Sequence, residues 1–223
     1  IGCDCGIVTC FMASENPDTK FIGVDKNELA VNNAKELAES LGLENVEFVT
    51  ADVYDFALEE KANAVTSFRC LLDIAQTQTK GVSVIGERGE REARYAEAFS
   101  PLAKAVCDNL THGGTVISVE RYTALYGWLG WMSALSDNGA NPISDKCALM
   151  TAQDISSTIE YSVTFAQKGS TSSPLEAYDC VMSEKFKSGA GVDGANAEYA
   201  LYKDSDEIHF TDIKKGEKLI HQF

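Results

Sequence analysis

Histidine is nearly missing from this chain. Three occur in 223 residues, at positions 112, 209 and 221, and no two stand at a metal-ligand spacing. That argues against histidine-built metal centres and leaves few ready-made general bases. Basic residues are also in deficit, 19 Lys and Arg against 34 Asp and Glu, for a formal net charge of −15. With no Lys/Arg run to form a local groove, such a surface repels phosphate backbones and anionic lipid, so neither nucleic acid nor a membrane is expected as a partner. No apolar run approaches the roughly 18 residues of a spanning helix. The nearest, residues 123–135, is too short and reads as a buried or cleft-lining helix. No signal-peptide pattern is visible. The seven cysteines are odd in number and scattered, unlike a disulfide framework, so reduced thiols in a cytoplasmic protein are expected. Internal repeats and low-complexity tracts are missing too.

What is present is alternation. Residues 7–15 read as a short helix broken by "NPD", and residues 20–25 ("KFIGVD") as a buried strand ending in an acid. From Asn27 onward, Ala30, Ala34, Leu37, Ala38 and Leu41 recur at helical spacing, with Gly42 as a C-terminal cap. Strands follow at 46–50, 63–71 and 115–120, the last two separated by a polar loop and a charged amphipathic helix over 90–110. Strands alternating with helices predict an α/β fold, a doubly wound and mostly parallel sheet. Ligands then gather at the carboxyl ends of the strands. Asp25, Asp52, the run from Arg69 to Asp73, and Glu120 all fall at such ends and are expected on one rim. Beyond residue 120 the pattern weakens, with strands expected at 158–165, 198–203 and 207–213 and a closing hairpin at the end. The whole chain, 1–223, is expected to be a single domain.

The opening "IGCDCGIVTC" crowds two glycines and three cysteines into ten residues. A turn between strand and helix uses glycine where side chains would keep a ligand from the backbone amides. The nicotinamide fingerprint matches poorly: its three glycine positions, counted from Gly2, hold Gly2, Asp4 and Ile7. Cys3, Cys5 and Cys10 could hold a soft metal only with a fourth ligand, and none is offered at a suitable spacing. They are expected as small apolar fillers, and no metal is expected.

The spacing does resemble the first motif of the class I, Rossmann-like S-adenosylmethionine-dependent methyltransferases, with Gly2 and Gly6 in glycine positions and Asp4 where the middle glycine usually stands. "FIGVDKNELAVNNAKELAESLGLENVEFVTADVYDF" is similar to the next two motifs, and "NLTHGGTVISVE" to the turn that enters the fifth strand. The resemblance covers residues 1–120. It implies a seven-stranded sheet with its last strand antiparallel, supplied by the 198–213 region, and here truncated at the first strand. It implies S-adenosylmethionine as cofactor, with residues 1–120 binding it and residues 121–223 forming the acceptor side and completing the sheet. Asp25, 19 residues after Gly6, would hold both ribose hydroxyls, a task for which a carboxylate has the lone pairs. Asp52 would accept from the adenine amino group while the Val53 amide donates to the ring. Gly2, Cys3, Gly6, Lys26 and Arg69 would complete the cofactor contacts.

Methyl transfer from a sulfonium needs alignment above all, and a base only where the acceptor must lose a proton. No histidine lies on the expected rim, and the family's Asn/Asp-Pro-Pro-aromatic signature is replaced by "SFRCLLDIAQ". Asp73 and Glu120 are the candidate proton acceptors or orienting groups, with ion pairing to Arg69 or Arg121 as their plainer role. The aromatics Tyr122, Tyr126, Trp128 and Trp131 follow the fifth strand, where an acceptor lid is often built. The expected reaction is methyl transfer to a small molecule, with a protein side chain as second acceptor. A catalytically inactive binding module is the rival, favoured by Asp4.

Overall fold

The computed structural model describes residues 1–80, 82, 88–122, 125–153, 158–187, 213–215 and 218–221. In chain order the elements are α1 (Ile7–Glu15), β1 (Phe21–Asp25), α2 (Glu28–Ser40), β2 (Val46–Thr50), β3 (Ala62–Phe68), and the single turns α3 (Leu71–Ile74) and α4 (Gln76–Thr79). Then come α5 (Arg88–Asp108), β4 (Leu110–Glu120), α6 (Leu125–Asp137), β5 (Ala140–Pro142), β6 (Ala148–Gln153), β7 (Thr158–Lys168), α7 (Pro174–Lys187) and the hairpin β8 (Ile213–Lys215) with β9 (Lys218–His221). The alternation expected from the sequence is therefore realised, and the fold is a mixed α/β sheet with helices packed against it.

Local chemistry explains the boundaries. The Asn27 side chain caps α2 by accepting from the amides of Leu29 and Ala30. Ala30, Val31, Ala34 and Ala38 form the buried stripe of that helix, and Gly42 follows with φ 65°, the left-handed turn that glycine adopts without strain. In β4, Val116, Ser118 and Glu120 are buried while Ile117 and Val119 are half-buried, the two-residue period of a pleated strand.

Strand pairing divides the molecule in two. β1 and β2 pair in parallel, Phe21 opposite Val46 through Asp25 opposite Thr50. β3 and β4 also pair in parallel, with Ser67 opposite Ser118. β7 lies antiparallel on the far side of β4, and both β5 and β6 pair with its outer edge. The antiparallel strand beside β4 thus comes from Thr158–Lys168. The region 198–212, expected to supply it, lies outside the described residues, and the closing hairpin is β8 with β9. β7 pairs with β4 from Ser162 opposite Glu120 to Gln167 opposite Thr115, and its consecutive buried residues Ser162, Val163 and Thr164 show that both faces of the strand are covered there.

Between β1 and β3 no strand is paired among the described residues. Residues 1–3 cross between them: the Ile1 nitrogen donates to the Thr66 carbonyl at 2.8 Å, and the Cys3 amide donates to the Val24 carbonyl at 3.1 Å. Below that crossing a cleft of about 1050 Å³ separates the half-sheets, lined by Val8, Met12, Ile22, Phe56, Val65 and Val106 among others. Each half carries its own core. Cys10, Val31, Ala34, Ala38 and Phe48 pack under β1 and β2. Phe99, Leu102, Val106, Val116, Trp131 and Leu135 join α5 and α6 to the larger half.

Candidate functional site

The opening turn holds three left-handed residues within five positions: Gly2 at φ 63°, Asp4 at 46° and Gly6 at 78°. Both glycines also lack room for a side chain. A Cβ on Gly2 would stand 2.7 Å from Cβ and Sγ of Cys70, and one on Gly6 would stand 2.7 Å from the Ala34 Cβ. Asp4 departs from the glycine pattern in sequence but keeps its backbone shape, because aspartate is among the few residues that tolerate this region. The turn closes with the Gly6 amide donating to the Cys3 carbonyl, and the Cys10 amide to the Gly6 carbonyl, which starts α1 with no acid in its first turn. The positive end of that helix is left without an internal counter-charge.

Asp25 ties this turn to the tip of β1. Its Oδ2 accepts from the Asp4 amide at 3.0 Å and its Oδ1 from the Asn27 amide at 2.9 Å. Each oxygen keeps a second lone pair, and the residue is half-buried at the rim. The Ala51 amide donates to the Asp25 carbonyl at 3.0 Å, so the tips of β1 and β2 are bonded and Asp52 follows directly. Asp52 is exposed and accepts from the Tyr54 amide at 3.0 Å. Val53 turns its side chain into the large core, and Lys26 is exposed. Gly2, Cys3, Gly6, Asp25 and Asp52 therefore come together around one rim, on the β1–β2 flank. Burial, reinforced by the nearby Asp25 charge, pushes the Cys3 thiol up to about 11, so it is no nucleophile at neutral pH.

On the other flank Glu120 is 1 % exposed. Its Oε1 accepts from the amides of Cys70 at 3.1 Å and Leu71 at 3.2 Å and from Oγ of Ser67 at 3.4 Å. Burial raises its pKa to about 7 against the opposing pull of those three donors, with Asp73 adding a smaller push upward. Cys70, half-buried beside it, is pushed up to about 12 by burial and bonds through Sγ to the Ile1 carbonyl. Arg69 and Asp73 are exposed. No ion pair joins Asp73 or Glu120 to Arg69 or Arg121 among the described residues.

The aromatic segment is not a lid at its two tryptophans. Trp128 and Trp131 are fully buried, and their indole N–H groups donate to Thr164 Oγ1 at 2.8 Å and Ser118 Oγ at 3.1 Å. A stacking role is thereby closed to them, since α6 turns both rings down onto the sheet. Tyr126 shows no described side chain. Sequence reasoning missed this polar seam, in which Ser67, Ser118 and Thr164 stand opposite one another across β3, β4 and β7. The signal was present as hydroxyl residues at strand-internal positions ("VTSF", "VISVE", "YSVTF"). Tyr161 was missed as well: the Arg69 guanidinium lies over its ring, 5.9 Å from the centroid.

Residues 1–124 match the family model described as "Methyltransferase domain". Among solved structures, the chain is similar to a SAM-dependent methyltransferase from Methanosarcina mazei, 16 % identical with a TM-score of 0.54, over 75 % of this chain and 89 % of that one. It is similar also to magnesium protoporphyrin IX methyltransferase from Synechocystis with bound SAM, at 15 % identity and TM-score 0.52, over 75 % of this chain and 67 % of that one. An N-methyltransferase from Bradyrhizobium japonicum gives 11 % identity and TM-score 0.52, over 76 % and 83 %. Among curated proteins, a tRNA (guanine-N(7)-)-methyltransferase from Rubrobacter xylanophilus is 35 % identical over 52 residues, 23 % of each protein. No helix among the described residues is long and apolar enough to cross a membrane.

Proposed function

This chain belongs to the methyltransferase-domain family as a S-adenosylmethionine-dependent, Rossmann-like methyltransferase, and on that premise we propose that it methylates a small-molecule acceptor held at the tips of β3 and β4. The observation that carries the reading is Asp25, a rim carboxylate with spare lone pairs on both oxygens, bonded through one of them to the left-handed turn of Gly2, Asp4 and Gly6. The fit to the cofactor rests on shape and chemistry together. Cys70, Ala34 and Phe48 fill the space that side chains at positions 2 and 6 would need, which keeps the turn to bare backbone, and two acids on bonded strand tips suit a ribose diol and an adenine amino group.

When bound, S-adenosylmethionine supplies a methyl group already activated on a sulfonium. Asp25 holds the ribose hydroxyls, Asp52 and the Val53 amide hold the adenine edge, and Gly2, Cys3, Gly6 and Lys26 line the remainder. Asp73, exposed in the first turn of α3, is the carboxylate placed to orient an acceptor or take its proton. Residues 1–223 act as one domain, with 1–120 binding cofactor and 121–223 forming the acceptor side. The acidic surface supports an acceptor other than nucleic acid. Seven unpaired cysteines accord with a reducing, cytoplasmic setting.

Isothermal calorimetry with S-adenosylmethionine and its demethylated product tests the cofactor site directly. Heat for both, followed by methyl transfer to members of a small-molecule panel, is the expected outcome; no heat for either would refute it. A second reading, a binding module without catalysis, is favoured by the exposed Asp4 carboxylate inside the cofactor turn. Binding of both ligands without turnover on any small molecule or protein acceptor would select it.

A further inference from the structure

Arg69 carries an unusual backbone on the acceptor flank. With φ at 57° it is, apart from Asp4, the only non-glycine in the left-handed region among the described residues. Arginine has none of the local side-chain bonding that lets aspartate or asparagine rest there, so its surroundings must impose the shape. They do so on both sides. The Arg69 amide donates to the Val119 carbonyl at 2.9 Å. The next two amides, of Cys70 and Leu71, are both taken by the buried Oε1 of Glu120. Strain held in place this way marks a residue aimed at something.

The aim can be read from the sheet order. Asp25 and Asp52 sit at the tips of β1 and β2, whereas Arg69 leaves β3 in the opposite direction. It passes the end of β4 and lies over Tyr161 of β7. The family resemblance implies a cofactor contact for Arg69; its lean toward Tyr161 of β7 is the observation that favours the acceptor side. There it is exposed, meets no carboxylate among the described residues, and is a free cation in a protein of net charge −15. The ring face of Tyr161 supports the guanidinium without consuming its N–H donors, which leaves the planar fork open to an oxyanion.

We propose that Arg69 is the anion-recognising residue of the acceptor site, held in its strained backbone by the positioning residue Glu120, and that the methyl acceptor carries a carboxylate or phosphate group. This deepens the methyltransferase reading and rests on it.

The test uses the full chain saturated with the demethylated cofactor and follows arginine Nε–Hε cross-peaks by NMR during titration with inorganic phosphate and, separately, acetate. One cross-peak is expected to shift at millimolar anion and to vanish in Arg69→Gln, while the affinity of Arg69→Gln for S-adenosylmethionine stays within twofold of wild type. The arm with the larger shift identifies the anion class. Arg69→Gly relieves the backbone strain, so its melting temperature should rise although the anion response is lost. Glu120→Ala should weaken the response, and Glu120→Gln, which keeps an accepting oxygen, should restore most of it. Silence of every arginine cross-peak in both titrations would overturn the proposal, as would a melting temperature lowered in Arg69→Gly. A tenfold loss of S-adenosylmethionine affinity in Arg69→Gln would return the residue to the cofactor. Wild-type protein that binds no S-adenosylmethionine would instead bring down the methyltransferase reading itself.

Discussion

The two half-sheets solve the same problem by opposite means. Around β1 and β2 the rim is made of backbone: left-handed turns, amides bonded to neighbouring oxygens, and acids at or just beyond a strand end. Around β3, β4 and β7 the rim is held from beneath by side chains, through a row of buried hydroxyls and one buried carboxylate. The first arrangement dispenses with side chains where Cys70, Ala34 and Phe48 leave no room for them. The second shapes a surface by spending polar groups in the interior, and its tolerance to change should be correspondingly smaller.

The sharpest way to break the contrast is to cut the buried flank. Trp131→Ala removes a fully buried indole that also donates to Ser118 Oγ, and should destabilise the fold by about 3–5 kcal/mol in denaturant titrations. A change within experimental error would mean that α6 is not part of the core. Gly6→Ala attacks the bare flank. It forces a Cβ to within 2.7 Å of Ala34 at φ 78°, so cofactor affinity should fall at least tenfold by calorimetry, from a backbone position bearing no functional group.

Asp25→Ala tests the chemistry of the same flank. It should weaken S-adenosylmethionine binding by about 1–3 kcal/mol, and an unchanged dissociation constant would dislodge Asp25 from the ribose. Asp52→Ala should cost less and leave the fold intact, since Asp52 is exposed and its side chain's one described bond is from the Tyr54 amide.

The smallest effect sharpens the comparison by pH. Glu120, facing Asp73, Cys70, Tyr122 and Ser67, holds its proton more tightly when folded, up to about 7 against an ordinary 4.5. The folded state therefore binds more protons between those values. Glu120's contribution to stability is complete below about pH 4.5 and is lost as pH rises through about 7. Urea midpoints measured across that window should fall in wild type and flatten in Glu120→Gln; identical slopes would show that the carboxylate is not the titrating group.

How much of this could be read in advance follows the same divide. The β1–α2–β2 run was legible because its signals are local: an apolar strand ending in Asp25, a capped helix, and a second strand ending before Asp52. Asp4 looked like a departure from pattern, since a sequence records residue type and not backbone angle. On the other flank, Ser118 and Thr164 resemble surface hydroxyls until β4 and β7 are paired in register. Trp128 and Trp131 resembled a lid because helical spacing alone does not say which side of a sheet the helix will cover. That β7 is the antiparallel strand beside β4 was not legible, as several segments after residue 120 carry equal β character and only long-range pairing chooses among them.

Gly2 and Cys70 occupy what is in effect one side chain's worth of space. Drift at either position is therefore yoked to the other: a homologue with alanine at position 2 would have to trim position 70 to glycine or pull the two turns apart. Paired exchange at these sites, readable in any collection of related chains, would be the evolutionary trace of the seam where the halves touch.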